Sequence, residues 1–185
     1  YGNPYKKGDV RYAASFDEQV AAIQALNVEQ LRAFHRKFYG AGTAQLALVG
    51  DFDAAKANAA LDTALGNWRS DVAYVRVPNP LVNVPPKRLV FKTADKQNAF
   101  MQVELPLAVS DNDADYAPVV VANFMFGQGG SSRLWTRIRE KGGLSYDVRS
   151  SINWSNFEQH SPWQATAIFA PQNRDKVRSE ERRVG

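Results

Sequence analysis

In residues 15–26, SFDEQVAAIQAL, apolar side chains fall at Val20, Ile23 and Leu26, the spacing of one helical face. Ser15 is placed to accept from the free N–H groups of a first turn, and Asp17 and Glu18 suit its positive end. Asn27 then predicts the cap of a second helix, with Gln30 three residues on in the capping-box position. Leu31, Phe34 and Phe38 form its apolar stripe up to Tyr39, and Gly40 ends it. Residues 44–50, AQLALVG, are a short apolar run bounded by turn residues, which predicts a buried strand. Asp53 is placed to cap an alanine-rich helix over 54–65, closed by Gly66. Helix, strand and helix in this order belong to a layered α/β architecture.

The pattern changes between residues 71 and 86. Pro78, Pro80, Pro85 and Pro86 exclude helix and favour an extended connection. Beyond them, 88–93 (RLVFKT) and 99–105 (AFMQVEL) read as strands, with 95–98 as the turn between them. Asp111 or Asp113 opens an apolar helix that runs to Phe126. A break follows at Gly127, Gly129 and Gly130, after which Ser131 and Ser132 can cap a short basic helix. Arg133, Arg137, Arg139 and Lys141 lie on it beside Leu134, Trp135 and Ile138, and Gly142 and Gly143 stop it. A strand is expected from Leu144 through Tyr146 and Val148 to Ile152 or Trp154, and another over 163–169. Pro171 then stands at a helix start, where its missing N–H costs nothing. Trp135, Trp154 and Trp163 read as core or interface aromatics, and there is no short-period repeat.

Composition narrows the chemistry. With 44% hydrophobic and 23% charged residues, the 185-residue chain has the balance of a soluble globular protein. The net charge of +4 comes from scattered basic residues, without the block of a nucleic-acid arm, so no nucleic-acid partner is expected. The absence of cysteine excludes disulfides and thiolate chemistry. No run approaches the roughly 18 apolar residues of a membrane span. The glycine-rich G-Q-G-G-S-S lacks the lysine of a phosphate-binding loop and has no strand before it, so a nucleotide site is not expected.

Both ends read as interrupted. The opening YGNPYKKGDVRY has neither a starting Met nor a signal-peptide core. The closing RSEERRVG, residues 178–185, fits no local pattern. Read back through the genetic code it matches a common sequencing adapter in frame, so the natural sequence is expected to stop near Val177.

The run SSRLWTRIREKGGLSYDV, at 131–148, resembles the signature of the pitrilysin/insulinase metallopeptidase superfamily, which includes mitochondrial processing peptidase. The stretch around the second helix and residues 44–53, ending in VGDFD, is similar to the close of each homologous unit in that family. The resemblance implies an α+β fold class: two-layer α/β sandwich units with a mostly antiparallel sheet and helices on one face. It implies the division 1–77 as the end of one unit, 78–87 as a proline-rich linker and 88–177 as the beginning of the next.

Active members carry H-x-x-E-H on a helix, two zinc-ligating histidines and a glutamate base. The corresponding helix here, DADYAPVVVANFMFG, has no histidine and no glutamate. His35 and His160 are the two histidines of the chain, and neither has another at helical spacing. No metal ligands are therefore expected in this chain, and no hydrolysis by it alone; zinc would belong to a catalytic half elsewhere in the chain or in a partner subunit. In active members a non-catalytic half closes over the zinc half, and an Arg and a Tyr from it reach the substrate peptide. Their motif positions are matched by Arg139 and Tyr146, which are thus implied substrate-binding residues. A guanidinium and a phenol are both donors, able to hold one peptide carbonyl. The residue types alone leave Arg139 free to pair with Glu140, Asp147 or solvent, and Tyr146 free to be an ordinary strand aromatic.

The resemblance thus implies the substrate-closing part of a zinc endopeptidase that cuts peptides in an enclosed chamber. A structural or assembly subunit of the same fold, like the family's respiratory-chain core subunits, is the rival, and a generic ligand-binding α/β domain is a third reading. Bacterial proteins of this layout imply a periplasmic location.

Overall fold

The computed structural model describes residues 3–184. Tyr1 and Gly2 of the expected opening loop, and Gly185 of the expected adapter-derived tail, lie outside the described residues. Two compact units are present, Asn3–Val77 and the residues from Pro78 onward.

Three helices make up the first unit: α1 (Phe16–Gln24), α2 (Val28–Phe38) and α3 (Ala54–Leu65). Each starts where its cap residue predicts. The Ser15 hydroxyl accepts from the Glu18 amide while the Glu18 carboxylate accepts from the Ser15 amide, at 3.2 and 2.9 Å. Asn27 and Gln30 make the same reciprocal pair, both at 2.9 Å. Asp53 accepts from the Lys56 amide. The Glu18 carboxylate also receives Lys7 Nζ and the Tyr12 hydroxyl, and the Lys7 bond contributes most to lowering its pKa to about 2.

None of these helices buries a residue. The α2 stripe exposes about half of Leu31, Phe34 and Phe38. Its C-terminal end is held by polar bonds, from Ser70 Oγ to the Lys37 carbonyl and from the Ala41 amide to the Trp68 carbonyl. The expected buried strand over 44–50 does not form. The segment belongs to no strand, and Val49 is fully exposed. A strand exists only where a neighbour accepts its ladder bonds, and no described segment does so here.

In the second unit the expected strand over 88–93 is likewise absent, and Phe91 is 65% exposed. The next expected strand does form, as β1 (Ala99–Leu107). It is followed by α4 (Tyr116–Gly127), a π-helix (Trp135–Lys141), β2 (Asp147–Ile152), β3 (Ser161–Phe169), a 3₁₀ turn (Pro171–Asn173) and α5 (Arg174–Val184). The three strands form one antiparallel sheet in the order β1-β3-β2. Ala167 sits between Met101 and Val148, and Ala165 between Val103 and Ser150. Thus β3 is central, with both its edges paired.

Strand alternation then divides the sheet into two faces. One carries the buried Ala165 together with Val148, Ala167 and Phe169, which cluster with Leu134 and Ile138 from the π-helix segment and Val177 from α5. The other carries Gln102, Glu104, Arg149 and Gln164, all exposed, with Gln164 Nε2 donating to Ser151 Oγ. Helices therefore cover one face, and the architecture is the two-layer α+β arrangement the sequence implied.

A buried amide joins α4 to the sheet. Asn123, 7% exposed, accepts from Ser150 Oγ on β2 at 2.7 Å and from Trp163 Nε1 on β3 at 3.0 Å. One turn later Gly127 lies against β2 so closely that an added Cβ would fall 2.4 Å from Ser150 Oγ and 2.8 Å from Leu134. The glycine is there for close approach.

Replacing Asn123 by Leu strands two donors, and each costs about 1–3 kcal/mol when left unpaired. Urea denaturation should show Asn123→Leu destabilising by about 2–3 kcal/mol, against about 1 kcal/mol for Ser150→Ala. Equal losses in the two variants would show that the amide is not the joint. Gly127→Ala should cost about 1–3 kcal/mol by overpacking, measured in the same way.

Candidate functional site

The site grows out of the connection between α4 and β2. Ser132, 3% exposed, accepts from the Trp135 amide at 3.4 Å, and its carbonyl accepts from Thr136 at 2.9 Å, so the expected serine start is realised at Ser132. The element that follows is a π-helix, where an α-helix was expected. Thr136 at its start still bonds four residues back, but the i to i−5 bonds that define a π-helix give it wider turns than an α-helix. Side chains four apart lie on the same side of the segment, and Leu134 and Ile138 both enter the core with no exposed surface.

The same four-residue spacing, moved on by one, pairs Trp135 with Arg139. The Arg139 Cζ lies 4.1 Å from the centroid of the Trp135 ring. An indole face attracts a guanidinium through its quadrupole.

Gly143 then turns the chain, with φ +56°, a conformation in which a Cβ is strained. Its amide bonds to the Arg139 carbonyl at 3.0 Å, and the Leu144 amide to the Ile138 carbonyl at 2.9 Å. Ser145 is buried, with its hydroxyl 2.7 Å from the Ile168 carbonyl, and the Tyr146 amide donates to that carbonyl at 2.8 Å. This anchor directs Tyr146 outward, 76% exposed, with its ring centroid 5.5 Å from Arg139 Cζ. The expected strand start at Leu144 is therefore corrected: β2 begins at Asp147, and Tyr146 immediately precedes it.

Arg139 and Tyr146, named from the sequence, stand together. Neither of the carboxylates weighed as partners for Arg139 takes it. Asp147 is bonded by Arg149 at 2.6 Å, and no carboxylate among the described residues pairs with Arg139. Arg137 differs: Glu180 holds it, and that bond is the main cause of a raised guanidinium pKa and a lowered Glu180 pKa. Trp135 was read from the sequence as core or interface. It is only half-buried, lying beneath Arg139. The aromatic-to-arginine interval of four was the available signal. Trp154 and Trp163 are also half-buried, the first against Tyr116 with 4.6 Å between ring centroids, the second bonded to Asn123.

A zinc ion finds no fitting donor set among the described residues. No three His, Asp or Glu side chains converge. His35 stacks on Tyr39 and Trp68 in the first unit, and His160 Nδ1 lies 3.0 Å from the Asn79 carbonyl in the second. No helix among the described residues is long and apolar enough to cross a membrane.

Fold and site together define an α+β domain that presents an arginine and a tyrosine side by side. The chain belongs to the peptidase M16 inactive domain family, whose match covers residues 25–180. It is a non-catalytic domain of the metallopeptidase-like kind. Among similar proteins, "Probable inactive metalloprotease YmfF" of Bacillus subtilis is 24% identical over 174 residues, 87% of this chain and 39% of that protein. "Non-peptidase homolog YmxG" of Helicobacter pylori is 26% identical over 134 residues, 72% of this chain and 31% of that protein. The crystal structure of a peptidase M16 inactive domain from Pseudomonas fluorescens superposes with a TM-score of 0.62 at 24% identity, covering 89% of this chain and 39% of that one. The chain thus spans less than two fifths of the length of these relatives.

Gly143 is the local test of this geometry. Gly143→Ala forces a Cβ into the left-handed region and should destabilise by about 1–2 kcal/mol. Gly143→Asn should lose less, since asparagine tolerates that conformation. Thermal unfolding by circular dichroism orders the two variants, and equal losses would contradict a conformational cause.

Proposed function

We propose that this domain is the substrate-closing, non-catalytic part of a zinc-dependent endopeptidase that degrades or processes peptides in an enclosed chamber. The catalytic half, with its zinc, belongs to another part of a longer chain or to a partner subunit. A bacterial periplasmic location is part of the same proposal.

One observation carries the reading: an arginine that no carboxylate among the described residues pairs, beside an exposed tyrosine. The guanidinium has five N–H donors and the phenol one, and none of the carboxylates nearby takes the arginine. Two donors of this kind on one surface suit a peptide carbonyl, and they favour the charge that develops on its oxygen during hydrolysis. The domain supplies no nucleophile, base or metal in this scheme. It supplies donors and a wall that keeps water out.

A second reading has support of its own. The relatives named inactive or non-peptidase fit a structural or assembly subunit that uses the fold without peptide cleavage. The two readings separate on the full-length protein together with its neighbouring gene products. Peptide hydrolysis and zinc content are measured for wild type, Arg139→Ala and Tyr146→Phe. The closing role predicts that each variant keeps its zinc and loses about tenfold or more in kcat/KM, which is about 1.4 kcal/mol of transition-state stabilisation. Absence of zinc, or wild-type cleavage by both variants, assigns the domain to the structural reading.

A further inference from the structure

Arg139 is a long cation that no carboxylate among the described residues orders, in the family position where the proposed function needs a directed donor. Something else has to hold it. The Trp135 ring lies 4.1 Å from its Cζ, closer than the Tyr146 ring at 5.5 Å. Trp135 itself is tied down at its backbone, by its bond to the buried Ser132 hydroxyl, and it sits between Leu134, which has no exposed surface, and Thr136, which bonds the Ser132 carbonyl.

We propose that Trp135 is a positioning residue, whose indole face orients the Arg139 guanidinium toward a substrate carbonyl while leaving its hydrogen-bonding edge free. The proposal rests on the closing role above. Its chemistry lies in the difference between two ways of holding an arginine. A carboxylate binds the planar fork edge-on and consumes the donors that a carbonyl would need. An aromatic face attracts the cation from above or below, and the N–H groups, which point outward in the guanidinium plane, stay available.

Two features of the fold maintain this arrangement. Residues four apart fall on the same side of a helical segment, one turn from each other, and the indole lies beneath the arginine of the next turn. The nearest acidic competitor on the following strand, Asp147, is engaged by Arg149 through both Nε and Nη2, at 3.2 and 2.6 Å.

The test uses the full-length protein with its zinc-bearing half and follows kcat and KM separately. Trp135→Leu should lower kcat about three- to tenfold with little change in KM, and Trp135→Phe should recover most of it. In an Arg139→Ala background, Trp135→Leu should have no further effect. Tryptophans carrying one, two and three ring fluorines at position 135 keep the shape and progressively weaken the ring quadrupole. Each added fluorine should lower kcat stepwise, while the melting temperature stays level. That series also stands if the leucine variant does not fold. A flat series, or a Trp135→Leu loss that adds in full to that of Arg139→Ala, overturns the positioning role and leaves the closing role intact. Wild-type cleavage by Arg139→Ala overturns the function of the stack, and wild-type cleavage by both Arg139→Ala and Tyr146→Phe overturns the closing role as well.

Discussion

Leu134 and Ile138 are four residues apart, and both are wholly withdrawn from water. Burying side chains of this size contributes about 1.5–3 kcal/mol each, so the segment cannot rotate without exposing one of them. Their partners Val148 and Ala167 lie on β2 and the central strand, and Val177 closes the cluster from α5. The orientation of everything between the glycine break and the sheet follows from this. With Leu134 and Ile138 directed inward, the next pair in the same phase, Trp135 and Arg139, comes to the rim, where Tyr146 stands. Core packing and the arrangement of the donors are one constraint.

That constraint also explains the polar residues near the core. Asn123 would be costly in an apolar layer, but it joins α4 to both β2 and β3 by accepting two donors. Ser145 and Ser150 are buried for the same reason, each with a partner across an element boundary. Hydrogen bonds of this kind fix direction, which an apolar contact does not, and direction is what a pair of donors on the rim requires.

The first unit follows a different rule. Its helices begin at their cap residues, yet none of them buries a side chain. Capping is local and needs only neighbours in sequence. An apolar stripe such as Leu31, Phe34 and Phe38 needs a surface to pack against, and among the described residues of this unit that surface is small.

Sequence alone determined what depends on near neighbours. The cap at Ser15, the capping box at Asn27, the helix after Asp53, the strands β1 and β3, the glycine break and the turn at Gly143 were all legible, because side-chain oxygens, apolar periods and a glycine act within a few residues. The motif also marked Arg139 and Tyr146 by their interval, and the family by its wording. Residues 44–50 and 88–93 show where local reading fails: both have strand composition, but pairing is decided by a second segment far along the chain. Tertiary structure likewise decided that the basic helix is a π-helix, that Asp147 goes to Arg149, and that Arg139 lies on Trp135. Those outcomes turn on which side chains can be buried together and which charges meet, and only the folded chain brings the competitors within reach of one another.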